Sequence, residues 1–156
     1  MVNGVDEKAD EVRKFFVDVM LGSLATHLRA LGFDTEVGRI TPQRPRGDRI
    51  CISRNRALKN KVENLLLLSS ERLEDQIMEL KEHINITPRP GALFSRCLRC
   101  NSRLINASEE ALQAVPEYIR VVHQGEIRFC EMCKRCYWPG SHRQHMEKKF
   151  KTWGLL

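Results

Sequence analysis

The stretch FFVDVMLGSLATHLRALGFDT, residues 15–35, decides the fold. Phe15, Phe16 and Val17 form a short apolar strand that ends at Asp18. Met20, Leu21, Leu24, Leu28 and Leu31 follow at helical spacing, and Gly32 supplies the stop. Phe33 to Val37 alternates as a second strand. Outward from this unit, Gly38 to Gly47, with Pro42 and Pro45, reads as a loop. Ile50, Cys51 and Ile52 form a continuous apolar run, as in a strand covered on both faces. A short helix over Ala57 to Val62 leads to another strand at Leu65–Leu68. Ser70 is placed to cap a helix with Leu73, Ile77, Leu80 and Ile84 on one stripe, and Glu71, Glu74 and Asp75 lie near its positive end. This order predicts a small parallel α/β sheet flanked by helices. In such sheets chemistry gathers beyond the carboxyl ends of the strands, where Asp18 and Asn55 are expected to meet.

The segment Thr87-Pro88-Arg89-Pro90-Gly91 reads as a linker. It divides the chain into a leader over 1–11, an α/β unit over 12–90 and a smaller unit over 91–156. In the last, Ile119–His123 and Glu126–Phe129 alternate around Gln124-Gly125 and predict a hairpin, while Met146, Phe150 and Trp153 stripe a final helix. The 156 residues, 42% hydrophobic and 29% charged, have ordinary globular composition. The longest aliphatic run, Leu65–Leu68, is far shorter than the ~20 residues of a membrane span, and no secretory signal pattern opens the sequence. A soluble, cytoplasmic protein with no membrane partner is expected.

The net charge is +6, and most of the excess lies in 91–156. Within the first unit, Arg39, Arg44, Arg46, Arg49, Arg54, Arg56, Lys59 and Lys61 are opposed only by Asp48. This is either a solvated strip or a field that attracts polyphosphate chains, and its arginine content suits phosphate recognition.

Five of the six cysteines fall in the second unit. Cys97-x2-Cys100 and Cys130-x2-Cys133 are two knuckles that together complete a tetrahedral zinc site of the ribbon type. Paired disulfides and an iron–sulfur cluster, the latter drawing on Cys136, are the rivals. Cys136 reads as a buried thiol or a substitute ligand, and His142 and His145 are weaker ligand candidates. Four thiolates leave no open position, so the metal is expected to be structural. Tyr137 and Trp138 either pack over a knuckle or offer a stacking platform for bases.

FFVDVMLGSLATHLRALGFDT, RICISRN at 49–55, FSRCLRCNSRL at 94–104 and FCEMCKRCYWPGSH at 129–142 resemble the Mut-seven C-terminal RNase family, from about Phe15 to Met146. The resemblance implies a PIN-like nuclease fold with a C-terminal zinc ribbon, and a metal-dependent ribonuclease that holds Mg²⁺ or Mn²⁺ on clustered carboxylates. Asp18 matches the first acidic position of the family, and Asp34 matches a recurrent acid of catalytic or structural role. The chain departs from the family pattern at Ser53-Arg54-Asn55, where relatives read T-R-D. It also lacks the helix between the second and third strands that carries a further acid. Glu36 and Asp48 are the acids placed to substitute.

The candidate catalytic set is thus Asp18, Asp34, Glu36 and Asn55. Arg29, Arg39, Arg44, Arg46, Arg49, Arg54 and Arg56 are the candidates for RNA contact, and Cys97, Cys100, Cys130 and Cys133 are the zinc ligands. For Asp18 the alternative role is helix capping, and for Arg29 an exposed or ion-paired place on its helix. Three functions remain: a ribonuclease, a degenerate RNA-binding relative, and an interaction module whose basic loop meets an acidic protein.

Overall fold

The computed structural model describes residues 13–156; the leader expected over 1–11 lies outside them. Four strands, β1 (Lys14–Asp18), β2 (Asp34–Gly38), β3 (Ile50–Ser53) and β4 (Leu65–Leu67), form a wholly parallel sheet in the order β2-β1-β3-β4. The register sets Lys14 opposite Asp34, Asp18 opposite Gly38 and Val17 opposite Ile52. Asp18 and Ser53 therefore close their strands at one end of the sheet, whereas Asp34 opens its strand at the other.

Helices α1 (Gly22–Ala30) and α2 (Leu73–His83) pack on the face presented by Phe15, Val17 and Ile52. The predicted first helix is shorter than its apolar spacing suggests. Val19–Leu21 forms a 3-10 turn, and Met20 faces solvent while Leu21, Leu24, Leu28 and Leu31 are buried. The opposite face of the sheet, presented by Phe16 and Cys51, is covered only by Ile40 and Leu58 with Val62 and Leu65 beside them. Residues 39–49 contain turns and no helix. Gly38 is required at this face, because a Cβ there would come within 2.7 Å of the Phe16 ring.

Three local expectations are corrected. Ser70 does not cap α2: that helix begins at Leu73 after Arg72, and the Ser69 and Ser70 amides instead donate to the Glu79 carboxylate, at 3.0 and 2.7 Å in their shortest contacts. The helix expected over 57–62 is a single 3-10 turn, Arg56–Leu58, cut short where Asn60 adopts the left-handed conformation. Residues 119–122 are helical, in α4 (Glu117–Val122), and His123 caps that helix, so the segment is not half of a hairpin. Pro116 fixes the entry to that helix, accepting from the amides of Ile119 and Arg120. Both edges of the neighbouring strand are already taken, leaving no sheet position for 119–123.

The second sheet is antiparallel, β5 (Ile105–Asn106), β6 (Arg128–Cys130) and β7 (Arg135–Tyr137), in that order. Its hairpin is the β6–β7 knuckle, with Lys134 in the left-handed turn position. Between β5 and β6 lie α3 (Glu109–Leu112) and α4, and α5 (Ser141–Thr152) follows β7. Helix α5 returns to the first sheet: Met146 and Phe150, followed by Trp153 and Leu155, join the core formed by Phe15, Leu24, Leu28 and Ile77. None of the helices of the described residues is long and apolar enough to cross a membrane.

Candidate functional site

At the carboxyl end of the sheet, Asp18 is nearly buried and fixed on both oxygens. Its Oδ2 accepts from Ser53 Oγ at 2.8 Å, and its Oδ1 faces the Met20 amide at 3.4 Å, capping the 3-10 turn. Ser53 Oγ in turn accepts from the Asn55 amide at 3.0 Å, and the Asn55 side chain caps the next turn through Ala57 N at 3.1 Å. Asp18 and Asn55 thus share one end of the sheet, as expected, joined by Ser53, which the candidate set did not include. A hydroxyl at the end of a buried strand beside a carboxylate is the signal that was available there.

Asp34 and Glu36 do not join this group. Asp34 lies four residues back along β2, roughly 13 Å away at ~3.3 Å per residue. Its Oδ1 takes Arg49 Nη1 at 2.8 Å and Asn101 Nδ2 at 2.7 Å. Partial burial works against its charge, yet these two hydrogen bonds hold its carboxyl below the usual range. Glu36 is drawn to the same arginine, with Oε1 3.1 Å from Arg49 Nη2. Asp48 lies 3.9 Å from Lys14, also at the amino end.

Two of the arginine candidates are likewise reassigned. Arg49 is the counter-ion of Asp34 and Glu36 and also donates to Phe15 O at 3.1 Å. Arg29 is buried, its Nε on Thr35 O at 2.9 Å and its Nη1 on the carbonyls of Leu98 and Arg99 at 3.1 and 3.0 Å. An arginine whose donors are spent on three main-chain carbonyls is a structural tie between the sheet and the first knuckle, and presents no face to RNA.

The remaining arginines gather where the sequence placed the basic field. Arg39 follows β2, and Arg54 and Arg56 follow β3, at the same end as Asp18. Arg46 lies over the Phe16 ring, its Cζ 3.9 Å from the centroid, and reaches Arg39 O at 3.5 Å. Arg54 leans on Ser69 O at 3.4 Å and Glu71 at 3.7 Å. Among the described residues, Arg46 Nε and Arg54 Nε are buried donors without an acceptor. Buried polar atoms are normally satisfied, so these two donors, one by the end of β2 and one by the end of β3, are exceptions.

The cysteines converge as expected. The sulfurs of Cys97, Cys100, Cys130 and Cys133 all lie within 4.8 Å of one another; Cys97 and Cys133 are 3.9 Å apart, and Cys100 and Cys130 are 3.4 Å apart. A tetrahedron with metal–sulfur bonds of ~2.3 Å has edges of about 3.8 Å, so the donor set and size fit a metal ion. Tyr137 Oη stands 3.1 Å from Cys97 Sγ and Ser102 Oγ 3.3 Å from Cys100 Sγ, placed to hydrogen-bond the thiolates. Cys136 is outside the cluster, its Sγ 3.7 Å from Ala111 O.

Among the described residues, the oxygen donors at the strand ends do not gather into a set that fits a protein-held Mg²⁺ or Mn²⁺. Such ions take near-octahedral oxygen ligation anchored by carboxylates. Among the described residues the four cysteines are the only group of three or more His, Cys, Asp or Glu whose donor atoms converge, and the hydrogen-bond partners of Asp18 are Ser53 and the Met20 amide.

No curated protein and no solved structure matches the chain. The family comparison does give a match, to the Mut7-C RNAse domain over residues 13–150. That span holds both the parallel sheet with Asp18 and the four-cysteine cluster, so the chain belongs to the Mut7-C RNase domain family.

Proposed function

We propose that this chain binds RNA across the carboxyl end of its parallel sheet, and that it does so without the metal-assisted hydrolysis that the family implies. The observation that carries this reading is the pair of orphaned guanidinium donors, Arg46 Nε and Arg54 Nε. Arg46 reaches Arg39 O just past β2 and Arg54 follows β3, on either side of the strand that Asp18 ends. Phosphate oxygens supply the missing acceptors, and the guanidinium fork suits them. Arg39, Arg44 and Arg56, exposed around the same end, add to the field. Binding of this kind is largely indifferent to sequence, since it reads the backbone.

The opposing reading, a working ribonuclease, draws on the family match and on the convergence of Asp18, Ser53 and Asn55. Among the described residues of the candidate set, Asn55 is neutral and Asp34 and Glu36 are paired with Arg49 at the far end, so only Asp18 brings negative charge to hold a divalent ion beside an RNA phosphate. The cysteine cluster takes zinc in this reading, as a structural centre.

The deciding experiment incubates the full chain with labelled mixed-sequence single-stranded RNA in Mn²⁺, Mg²⁺ or EDTA, beside Asp18→Asn. The expected result is binding in all three conditions with no products. Metal-dependent cutting that disappears in Asp18→Asn would replace this reading with the ribonuclease. Absence of binding in every condition would favour the interaction module.

A further inference from the structure

We propose that a cleft on the ribbon unit, remote from Asp18, binds one nucleotide unit, an aromatic base with its attached phosphate. This deepens the RNA reading above and rests on it for the source of the ligand. The cleft has a volume of about 270 Å³, near the lower end of the ~300–1,000 Å³ typical of small-molecule sites. It therefore suits a single base rather than a folded strand. Its apolar walls include Phe94, Tyr137 and Trp138.

Three cations line it. Arg96 is 91% buried by its 9% exposure, with Nε on Gly32 O at 3.3 Å and Nη1 on Asn101 O at 3.0 Å. It is a fixed positive wall rather than a mobile side chain. Arg143 stacks on Phe94, its Cζ 4.6 Å from the ring centroid, and spends Nε on Glu147 at 3.1 Å. Arg128 uses Nη1 on Gly125 O at 3.2 Å. The one acid in the lining, Glu126, lies 3.4 Å from His123, toward which it is turned. An aromatic surface ringed by arginines, with its only carboxylate directed elsewhere, is complementary to a flat base carrying a negative charge.

Trp138 is held ready for stacking by its neighbours. Gly140 N donates to Trp138 O at 2.8 Å, and a Cβ at Gly140 would approach the indole Nε1 to 3.1 Å. A glycine thus lets the ring lie flat against the backbone. The cleft starts beside Phe94 and Arg96, whose bonds to Ala30 O and Gly32 O set it by the turn entering β2. That is the amino end of the sheet, so the cleft is a second contact and not part of the Asp18 site.

Only two tryptophans are present, and Trp153 is 4% exposed within the core; changes in emission on binding therefore report Trp138. The test titrates the zinc-loaded full chain with mixed-sequence single-stranded RNA and, separately, with adenosine and uridine monophosphates. Trp138→Leu, Trp138→Phe, Arg128→Gln and Arg143→Gln are titrated beside it, each checked for zinc content and circular dichroism. The expected result is quenching by RNA and roughly tenfold weaker RNA binding in Trp138→Leu, as loss of one stacked base implies. Partial rescue is expected in Trp138→Phe, with weakening in both arginine variants. Wild-type RNA affinity in Trp138→Leu and both arginine variants overturns the cleft while leaving the RNA reading intact. Quenching by a monophosphate without any RNA binding keeps the cleft as a free-nucleotide site and overturns the RNA reading. Binding of neither overturns both.

Discussion

Asn101 Nδ2 donates to Asp34 Oδ1 at 2.7 Å while Asn101 Oδ1 accepts from the Thr35 amide at 2.9 Å. The loop that closes the first cysteine knuckle therefore occupies the open edge of β2, where unpaired main-chain groups would otherwise invite another strand. Asn101 reaches this position from the left-handed region, at φ 73°, with its amide on Cys97 O at 2.9 Å. Asn101→Ala leaves the Thr35 amide and one Asp34 lone pair without a partner. It should destabilise the chain by about 1–3 kcal/mol. Urea unfolding with a zinc assay alongside checks this; wild-type stability would show that water replaces the contact at no cost.

Asp34 also sets an acid limit on stability. Its folded-state pKa lies below the ordinary 3.8 because the hydrogen bonds from Arg49 and Asn101 outweigh partial burial. A depressed carboxyl pKa stabilises the fold fully above the unfolded value, and that contribution disappears as pH falls through the folded value. The chain should therefore lose stability below about pH 4, the ordinary carboxylate range, and Asp34→Asn should lose less over the same interval. Thermal melts from pH 5 to pH 2 measure the difference. Parallel curves would remove Asp34 from the acid response.

His27 gives a second limit at milder pH. Burial beside Phe150 and Trp153 lowers its pKa below 6.5, assisted by Lys149 and His142; the Ser23 carbonyl and Glu74 act in the opposite direction. The neutral ring is thus favoured in the fold. Its contribution is complete above pH 6.5 and declines as the solution is acidified through the folded value. His27→Gln should cost packing at all pH values but show a flatter melt profile between pH 7 and pH 5. An unchanged slope would sink the assignment.

Removal of the metal should unfold the ribbon unit first, because so small a unit has little core of its own. Cys97→Ser and Cys130→Ser should bind zinc weakly and melt at lower temperature, whereas Cys136→Ser should keep zinc at one ion per chain, since its sulfur lies outside the cluster. Zinc content by mass spectrometry decides the matter, and loss of zinc in Cys136→Ser would redraw the ligand set.

For RNA, Arg46→Gln and Arg54→Gln should each reduce the slope of log affinity against log salt by about 1, as loss of one phosphate contact requires. Arg29→Gln and Arg49→Gln should lower stability instead and leave the slope unchanged. Equal slopes in Arg46→Gln, Arg54→Gln and wild type would take both arginines away from the phosphate backbone.

The strands β1, β3 and β4 were legible because FFV, ICI and LLL are short apolar runs, and the metal cluster because two CxxC pairs have few other uses. The acids were harder. Asp18 ends a strand and Asp34 begins one, so in a parallel sheet they belong to opposite ends; strand direction carried that information, and the family pattern drew attention away from it. Arg29 could not be separated from the exposed arginines, since its carbonyl partners at Leu98 and Arg99 lie about seventy residues ahead in sequence. The segment at Ile119–His123 misled for a different reason. Tyr118, Val121 and Val122 are all exposed, so apolar spacing there records no buried face from which to read a period.

Phe150 and Trp153, carried by and just beyond α5, fill the same core as Phe15 and Leu28. That arrangement sets a timetable for synthesis. The four strands of the parallel sheet are complete on the growing chain by residue 67, but the apolar hollow between them and α1 stays open until residues 141–155 have left the ribosome. Chains usually fold from the amino end as they emerge; this one must hold a complete sheet over an open core while its cysteine knuckles are still being made, and the core closes only when α5 arrives.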